Sequence, residues 1–473
     1  MNAGKIFIVD ETPTKIDPHA HLTLSTGGNV VVIPIGIIDR ISLQPSGSKT
    51  LDILENLGST GDLNKGISTP SGGVIILDSK SRAPEGPFRQ AADDKMILET
   101  ARRWMEYLRR KKVRPGGKNQ EDRLEQSAQS VFRNFPASQV CIVTKRPELR
   151  LKAAAESINA EDYRHGKVVA SVNEIYSGVI TIPVSPLNFQ PFTNLLCNSE
   201  HGILRSEFDG LVPVPKELLP NQCCIFQSEG KTTLAIAKIA DDAVRFVHVR
   251  KPPTAAMDGI QPRNIRQAFA FALLRDPTIP LVTISGTAGS GKTLLSCAIG
   301  METTQGEDSS HSQILIYRPT IELGKDMGFL PGNIEEKMDP WMRPAEDALK
   351  LILQKTKAKT RTVADLMKGG RVSIEPINYL YGRTLQDEWV IVDEAQNTTP
   401  HEALEITTRP GERAKMIMVG DVVQASPKLS LDAGSNGLTH VIQGMRGWEG
   451  FGHITLEKSE RSRLAEEAAK RLS

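Results

Sequence analysis

The chain lacks any apolar run near the ~18 residues that a membrane-spanning helix needs, so no membrane partner is expected. Its five cysteines, Cys141, Cys197, Cys223, Cys224 and Cys297, form no CxxC pair and have no histidine at zinc spacing. That argues against a structural zinc site. The odd count fits a reducing cytoplasm, with the thiols as small buried hydrophobes. The opening Met1-Asn-Ala-Gly-Lys-Ile-Phe-Ile-Val-Asp10 is too briefly apolar for a secretory leader, and its run ends in a carboxylate. An excess of one charge is also missing: 58 basic against 56 acidic residues leave a net +2, so a nucleic-acid partner has to be argued from a local patch. What remains is ordinary globular composition, 39% hydrophobic and 24% charged. A length of 473 residues exceeds one hydrophobic core, and two or three domains are expected.

Gly286-Thr287-Ala288-Gly289-Ser290-Gly291-Lys292-Thr293 fits GxxxxGK[ST] at every fixed position. A buried-strand pattern, Pro280–Ser285, precedes it, and a helical one, Leu294–Gly300, follows. This is the setting of a phosphate-binding loop, in which glycines let backbone N–H groups approach the ligand at a helix N-terminus. Lys292 would reach the β and γ phosphates of ATP, and the Thr293 hydroxyl would hold Mg²⁺.

The chain divides into three stretches. Residues 1–165 alternate β-branched runs such as Ile6–Val9 and Val30–Ile35 with a helical pattern from Lys95 to Lys112, which indicates a small α/β domain. Within it, Pro45 to Gly73, rich in Gly, Ser and Thr, is expected to form mainly loops and short elements. Residues 166–252 hold short strand-like runs, Val168–Val172, Val179–Val184, Cys224–Gln227, Thr233–Lys238 and Val244–Val249, and suggest a mostly-β connecting domain. From 255 to 473 strands and helices alternate again. Leu281–Ser285, Ile314–Tyr317, Trp389–Val392 and Met416–Val419 each precede a polar motif, the mark of a parallel sheet with its chemistry at the strands' carboxyl ends. Residues 355–371 are polar and basic and are expected to be a mobile connection.

Trp389-Val-Ile-Val-Asp393-Glu394-Ala-Gln396 is an apolar strand ending in two carboxylates, about a hundred residues after the P-loop. Asp393 would bind Mg²⁺ and Glu394 would polarise the attacking water. Asp421 and Gln424, after the next strand, are candidate sensors of the γ-phosphate. Gln267, at the head of a helix before the P-loop, could pair with both edge groups of adenine, since a carboxamide both donates and accepts. Arg461 and Arg463 precede a last helix, and either is a candidate arginine finger or a surface ion pair.

These motifs bear a likeness to a known family. Arg318-Pro-Thr-Ile-Glu-Leu-Gly324 through Gly328-Phe-Leu-Pro331-Gly332 to Trp341, Ile391-Val-Asp-Glu-Ala-Gln-Asn397, Leu431-Asp-Ala-Gly-Ser-Asn-Gly-Leu438 and Phe451-Gly-His-Ile-Thr-Leu456 through Glu460-Arg461-Ser462 resemble the signature of PhoH ATPases. The resemblance implies a core similar to superfamily-one helicases, ATP hydrolysis, RNA-linked function and assembly as a homo-oligomer, a hexamer. The N-terminal stretch resembles the PIN domain of PIN–PhoH fusions, through Ile6-Phe-Ile-Val-Asp10, Val31-Val-Ile-Pro34, Leu51-Asp-Ile-Leu54, Asp94-Lys-Met-Ile97, Val143-Thr-Lys145 and Ala160-Glu-Asp-Tyr163. PIN nucleases hold Mg²⁺ or Mn²⁺ with three or four carboxylates. The resemblance places Asp10, Asp39 and Asp94 at three of those positions. Asp39 stands where Glu is usual, Glu11-Thr12 where Thr-Asn is usual, and Arg146 where the fourth Asp is usual. A cation in a metal site opposes Mg²⁺ by like charge. Asp93 is either a substitute ligand or a helix cap.

Between Arg102 and Lys118 eight basic residues (Arg102, Arg103, Arg109, Arg110, Lys111, Lys112, Arg114, Lys118) face one acid, Glu106, with no aromatic-rich stacking motif. They either complement a helix dipole or contact RNA phosphates. Three readings follow: a cytoplasmic ATPase that moves on or remodels single-stranded or structured RNA, an ATP-dependent ribonuclease that cleaves in the PIN site, and a nucleotide-switched assembly protein.

Overall fold

The computed structural model describes residues 4–44, 47–82, 89–111, 135–163, 168–169, 171–208, 210–240, 243–250, 259–304, 309–319, 334–355, 362–426 and 431–460. The chain forms two compact units, Met1–Val168 with Pro427–Leu431, and Val169–Ser426 with Asp432–Ser473.

The first unit is built on six strands: β1 (Ile6–Val9), β2 (Val30–Pro34), β3 (Ile67–Ser68), β4 (Val74–Asp78), β5 (Val140–Val143) and β6 (Asn159–Glu161). Their order is β3-β4-β2-β1-β5-β6, parallel throughout except where β3 meets β4. Strands buried on both faces need apolar residues at every position, and β1, β2 and β5 are buried along their length. The pleat sends Ile6 and Ile8 to one face, against Ile37, Met96, Ile97 and Leu149 from three helices. Phe7 and Val9 go to the other face, against Ala20, Leu24, Leu54 and Tyr163. The expected helix over Lys95–Lys112 is observed at Arg89–Lys111. Where loops and short elements are expected, a twelve-residue helix, Gly47–Gly58, buries Thr50 and Leu54. Thr50, Leu54 and the partly buried Leu51 recur at helical spacing within a stretch rich in Ser and Gly.

The second unit contains two sheets. The smaller comprises β7 (Val179–Pro183), β8 (Ile203–Leu204), β9 (Gln222–Ser228), β10 (Lys231–Ala240) and β11 (Ala243–His248), in the order β7-β9-β10-β11-β8. The strand expected over Val168–Val172 is absent from the described part, and the chain there enters a single helical turn, Val172–Glu174, capped by the Ser171 side chain. The larger sheet comprises β12 (Leu281–Gly286), β13 (Gln313–Arg318), β14 (Val372–Pro376), β15 (Glu388–Val392), β16 (Lys415–Gly420) and β17 (Phe451–Leu456). It is parallel throughout, in the order β14-β13-β15-β16-β12-β17. The two sheets share one apolar core, in which Cys223 and Ile236 join Val282, Ile284, Ile417 and Ile454.

β17 is an edge strand of the larger sheet, and the smaller module covers its outer side. Asn221 Nδ2 donates to the carbonyls of Glu449 (2.7 Å) and Phe451 (2.9 Å), and Thr455 N donates to Ser177 O (3.1 Å). Part of the expected connection over 355–371 is a helix, Val363–Lys368. A reciprocal cap between Thr362 and Asp365 starts it, and burial of Val363 and Leu366 anchors it.

Candidate active site

β12, β13, β15 and β16 all end at the same edge of the larger sheet, and their following residues converge there. Gly286 closes β12 at φ +149°, and a Cβ there would lie 2.3 Å from Leu456 O on neighbouring β17. No side chain fits at that point, so the loop has to leave the strand through glycine. The loop leads into the helix Lys292–Thr303, whose first turn has no side-chain cap. Lys292 Nζ donates to Gly286 O (2.7 Å) and Thr287 O (3.0 Å), and the Ser290 hydroxyl is buried without a partner. An uncapped helix start, an ammonium folded over the loop and an orphan hydroxyl fit a polyphosphate.

Flanking elements fix the course of the loop. The carbonyls of Ala288, Gly289 and Ser290 accept in turn from Ser459 Oγ (3.2 Å), Glu460 N (3.0 Å) and Gln267 Nε2 (3.0 Å). Gln267 is buried in the first turn of the helix Ile265–Arg275, which Asn264 caps. Its Oε1 accepts from Arg263 N at 2.8 Å. Both ends of this carboxamide therefore brace the loop.

Thr293 Oγ1 donates to Asp393 Oδ1 at 2.8 Å, joining the P-loop helix to the end of β15. A hydroxyl and a carboxylate in contact are the oxygen donors that a hard divalent cation takes, and the residues present fit one. Burial pushes the Asp393 carboxyl up from the ordinary range, Arg318 opposes this, and Glu394 adds to it. Arg318, at the end of β13, stands beside both acids, with Nε 3.3 Å from Asp393 Oδ2 and Nη2 3.5 Å from Glu394 Oε1. Glu394 adopts a left-handed backbone, φ 56°, which is uncommon for a residue with a side chain and marks a locally strained turn. Gln396 holds that turn. Its Nε2 donates to Glu394 Oε2 (2.6 Å), and its Oε1 accepts from Asp421 N (3.1 Å) after β16. Gly420 is the matching small residue, because a Cβ there would lie 2.1 Å from Gln396 Oε1. The Asp421 carboxylate accepts from Val423 N and caps the turn Val422–Gln424, on which Gln424 is exposed. Arg461 and Arg463 lie outside the described residues, as does most of the segment from Thr320 to Trp341.

In the first unit, Asp10 and Asp94 come together, and Arg146 comes with them. Arg146 Nε donates to Asp10 Oδ2 at 3.0 Å, and its Nη1 to Asp94 Oδ1 at 2.5 Å. Asp39 is exposed on the helix Ile35–Ser42. Asp93 pairs with Arg40 Nε at 3.0 Å. Among the described residues no group of three or more His, Cys, Asp or Glu could hold a metal ion. In the basic run, Arg102 is paired with Glu156, and Arg103 with Asp78 and Ser81. Arg109 is exposed, and the side chains from Arg110 to Lys118 lie outside the described residues.

Comparison with known proteins matches both halves. The PhoH-like protein family covers residues 259–472, and the PIN domain family residues 16–164. Protein PhoH2 of Bacillus subtilis (strain 168) is 29% identical over 479 residues, spanning 98% of this chain and 99% of that protein. Protein PhoH2 of Thermobispora bispora is 30% identical over 329 residues, 69% of each chain. The chain belongs to the PhoH2 family. It is a PIN–PhoH fusion, and its C-terminal domain is that of a P-loop ATPase family.

Two residues of this PhoH2 site were not singled out from the sequence. Gln396 carries no local signal of its role, because its partners, Glu394 and Asp421 N, meet only once β15 and β16 lie side by side. Arg318 was read only as part of the family signature, and its signal is its place at the end of β13, which pairs with β15. Among the described residues no helix is long and apolar enough to cross a membrane.

Proposed function

We propose that this chain hydrolyses ATP with Mg²⁺ and couples the hydrolysis to movement along or remodelling of RNA, as a ring of identical copies. The observation that carries the ATP part is the Thr293–Asp393 contact beside Lys292, at an uncapped helix start. Lys292 would exchange the Gly286 and Thr287 carbonyls for the β and γ phosphates. Thr293 and Asp393 would hold the cation, which neutralises phosphate charge when bound. Glu394 would orient the attacking water, and Gln396 would keep that carboxylate in place. The RNA part and the ring are supported by the resemblance and by the basic run. Of that run, Arg102 and Arg103 are already engaged within the chain, which leaves Arg109 and the residues after it to meet phosphates.

The test is ATP turnover with and without Mg²⁺ and single-stranded RNA, with mass by light scattering on the same sample. Mg²⁺-dependent turnover stimulated by RNA is expected, lost in Lys292→Ala. Turnover surviving that change would remove the P-loop assignment. Turnover indifferent to RNA would leave an ATPase with another partner.

A further inference from the structure

We propose that Arg146 closes the acidic pocket of the PIN unit to divalent metal, its guanidinium standing where a cation would be held, so that this unit does not cleave RNA by metal chemistry. The two aspartates that the resemblance assigns to metal are both buried, and both have their oxygens occupied by donors from this chain. Asp10 Oδ1 accepts from Thr12 N (3.0 Å) and Thr12 Oγ1 (2.7 Å). Asp10 Oδ2 accepts from Thr144 Oγ1 (2.6 Å) and Arg146 Nε (3.0 Å). A carboxylate offers about four lone-pair sites, and these four donors use them. Asp94 Oδ1 accepts from Arg146 Nη1 and Oδ2 from Lys152 Nζ, both at 2.5 Å. A metal ion arriving here would find two carboxylates already matched by two cations.

The arrangement is built rather than incidental. Arg146 N donates to Thr144 Oγ1 at 3.0 Å, and Lys145 N to Thr12 Oγ1 at 2.8 Å, so the hydroxyls that serve Asp10 also fix the backbone that delivers the guanidinium. Arg146 is the N-cap of the helix Pro147–Ala155, and Lys152 reaches Asp94 from the same helix. Glu11, the other acid beside Arg146, is partly buried, with one oxygen unpartnered. Asp39 is exposed, and Asp93 is committed to Arg40. A neutralised pocket of this kind needs no metal to be stable, whereas bare buried carboxylates would.

The experiment uses the full chain without nucleotide, carrying Asp393→Asn so that the P-loop site contributes nothing. Mn²⁺ is titrated and its free signal followed by electron paramagnetic resonance, while end-labelled single-stranded RNA is incubated with Mg²⁺ or Mn²⁺. The expected result is no Mn²⁺ retained by the PIN unit, no metal-dependent cleavage, and a melting temperature unmoved by EDTA. Retention or cleavage that disappears in Asp10→Asn or Asp94→Asn would overturn the proposal. The pair Arg146→Asp with Lys152→Ala is expected to tighten Mn²⁺ at least tenfold and to gain a melting temperature that rises with Mn²⁺. A folded double variant with no such gain would also overturn it. If that variant does not fold, retention and cleavage in the chain with Arg146 intact decide alone. None of these readouts depends on ATP turnover, so the proposal stands or falls separately from the ATPase.

Discussion

Arg318 and Asp393 form an ion pair at the mouth of the phosphate-binding loop, with Arg318 Nε 3.3 Å from Asp393 Oδ2. Both side chains are largely buried, at 14% and 6% exposure, so each charge depends on the other for solvation. Arg318→Ala is therefore expected to destabilise the nucleotide-free chain by about 3 kcal/mol, the usual cost of breaking a buried pair. Mg²⁺ with ATP should restore much of the loss by supplying another cation to Asp393. Thermal melting with and without Mg²⁺–ATP measures both effects, and equal melting temperatures for variant and parent would refute the account.

Lys292→Ala should leave the fold intact, since the lysine's bonds are to two loop carbonyls at a partly exposed position. Turnover should fall by about a hundredfold or more, because a cation at the transferring phosphate is lost. Steady-state phosphate release checks this, with circular dichroism confirming the fold.

Gln396→Ala removes the bond to Glu394 and the acceptor for Asp421 N together. The expected effect is a kcat lowered by about tenfold to a hundredfold, or about 1–3 kcal/mol, with KM for ATP little changed. Gly420→Ala should mimic it from the other side, by pushing its new methyl into the Gln396 carboxamide. An unchanged kcat in both variants would show that Glu394 does not rely on this support.

His453 is fully buried on β17 between Thr283 Oγ1 (2.7 Å) and Thr455 Oγ1 (3.0 Å), and burial holds its pKa down to about 3. Its ordinary value is 6.5, so between pH 6.5 and 3 the unfolded chain binds the additional proton. The stability that the neutral ring contributes above pH 6.5 is lost as pH falls through that window, by about 1.4 kcal/mol per unit. His453→Gln keeps hydrogen-bonding capacity without the titration. The melting-temperature advantage of the parent over this variant should shrink steadily from pH 7 to pH 5. A constant difference would mean that the histidine does not titrate on unfolding as described.

Much of the nucleotide site could be read before folding was considered. The glycines, Lys292 and Thr293 are contiguous, and an apolar strand ending in Asp393-Glu394 announces where the acids will stand. Many of the sheet strands were visible as β-branched runs, although β4, β14 and β17 were not. Pairings between distant segments were not legible. Arg146 reaches Asp10 over 136 positions and Asp94 over 52; nothing local to Thr144–Pro147 says which acids it will meet, and only the resemblance put the three at one site. The like-charge argument against metal was available from Arg146 alone, but Lys152 was invisible, since it looks like any other lysine on a helix. Gln267 shows the complementary limit: its place at the head of a helix before the P-loop was legible, its burial and its partners were not. The helix Gly47–Gly58 escaped because composition weighs Ser and Gly heavily, while a stripe of three or four apolar positions is enough once a sheet offers a face to cover.

The covering of β17 by Asn221 and Ser177 bears on how copies of this chain can meet. An uncovered outer strand is an invitation to another chain, because its backbone donors and acceptors can be completed by any extended segment. Here that side is already taken by the chain's own module. Growth of the ATPase sheet by strand addition is thereby barred at this margin, and copies that meet here have to do so through side-chain surfaces. Those can be tuned and reversed by nucleotide in a way that a continuous backbone ladder cannot.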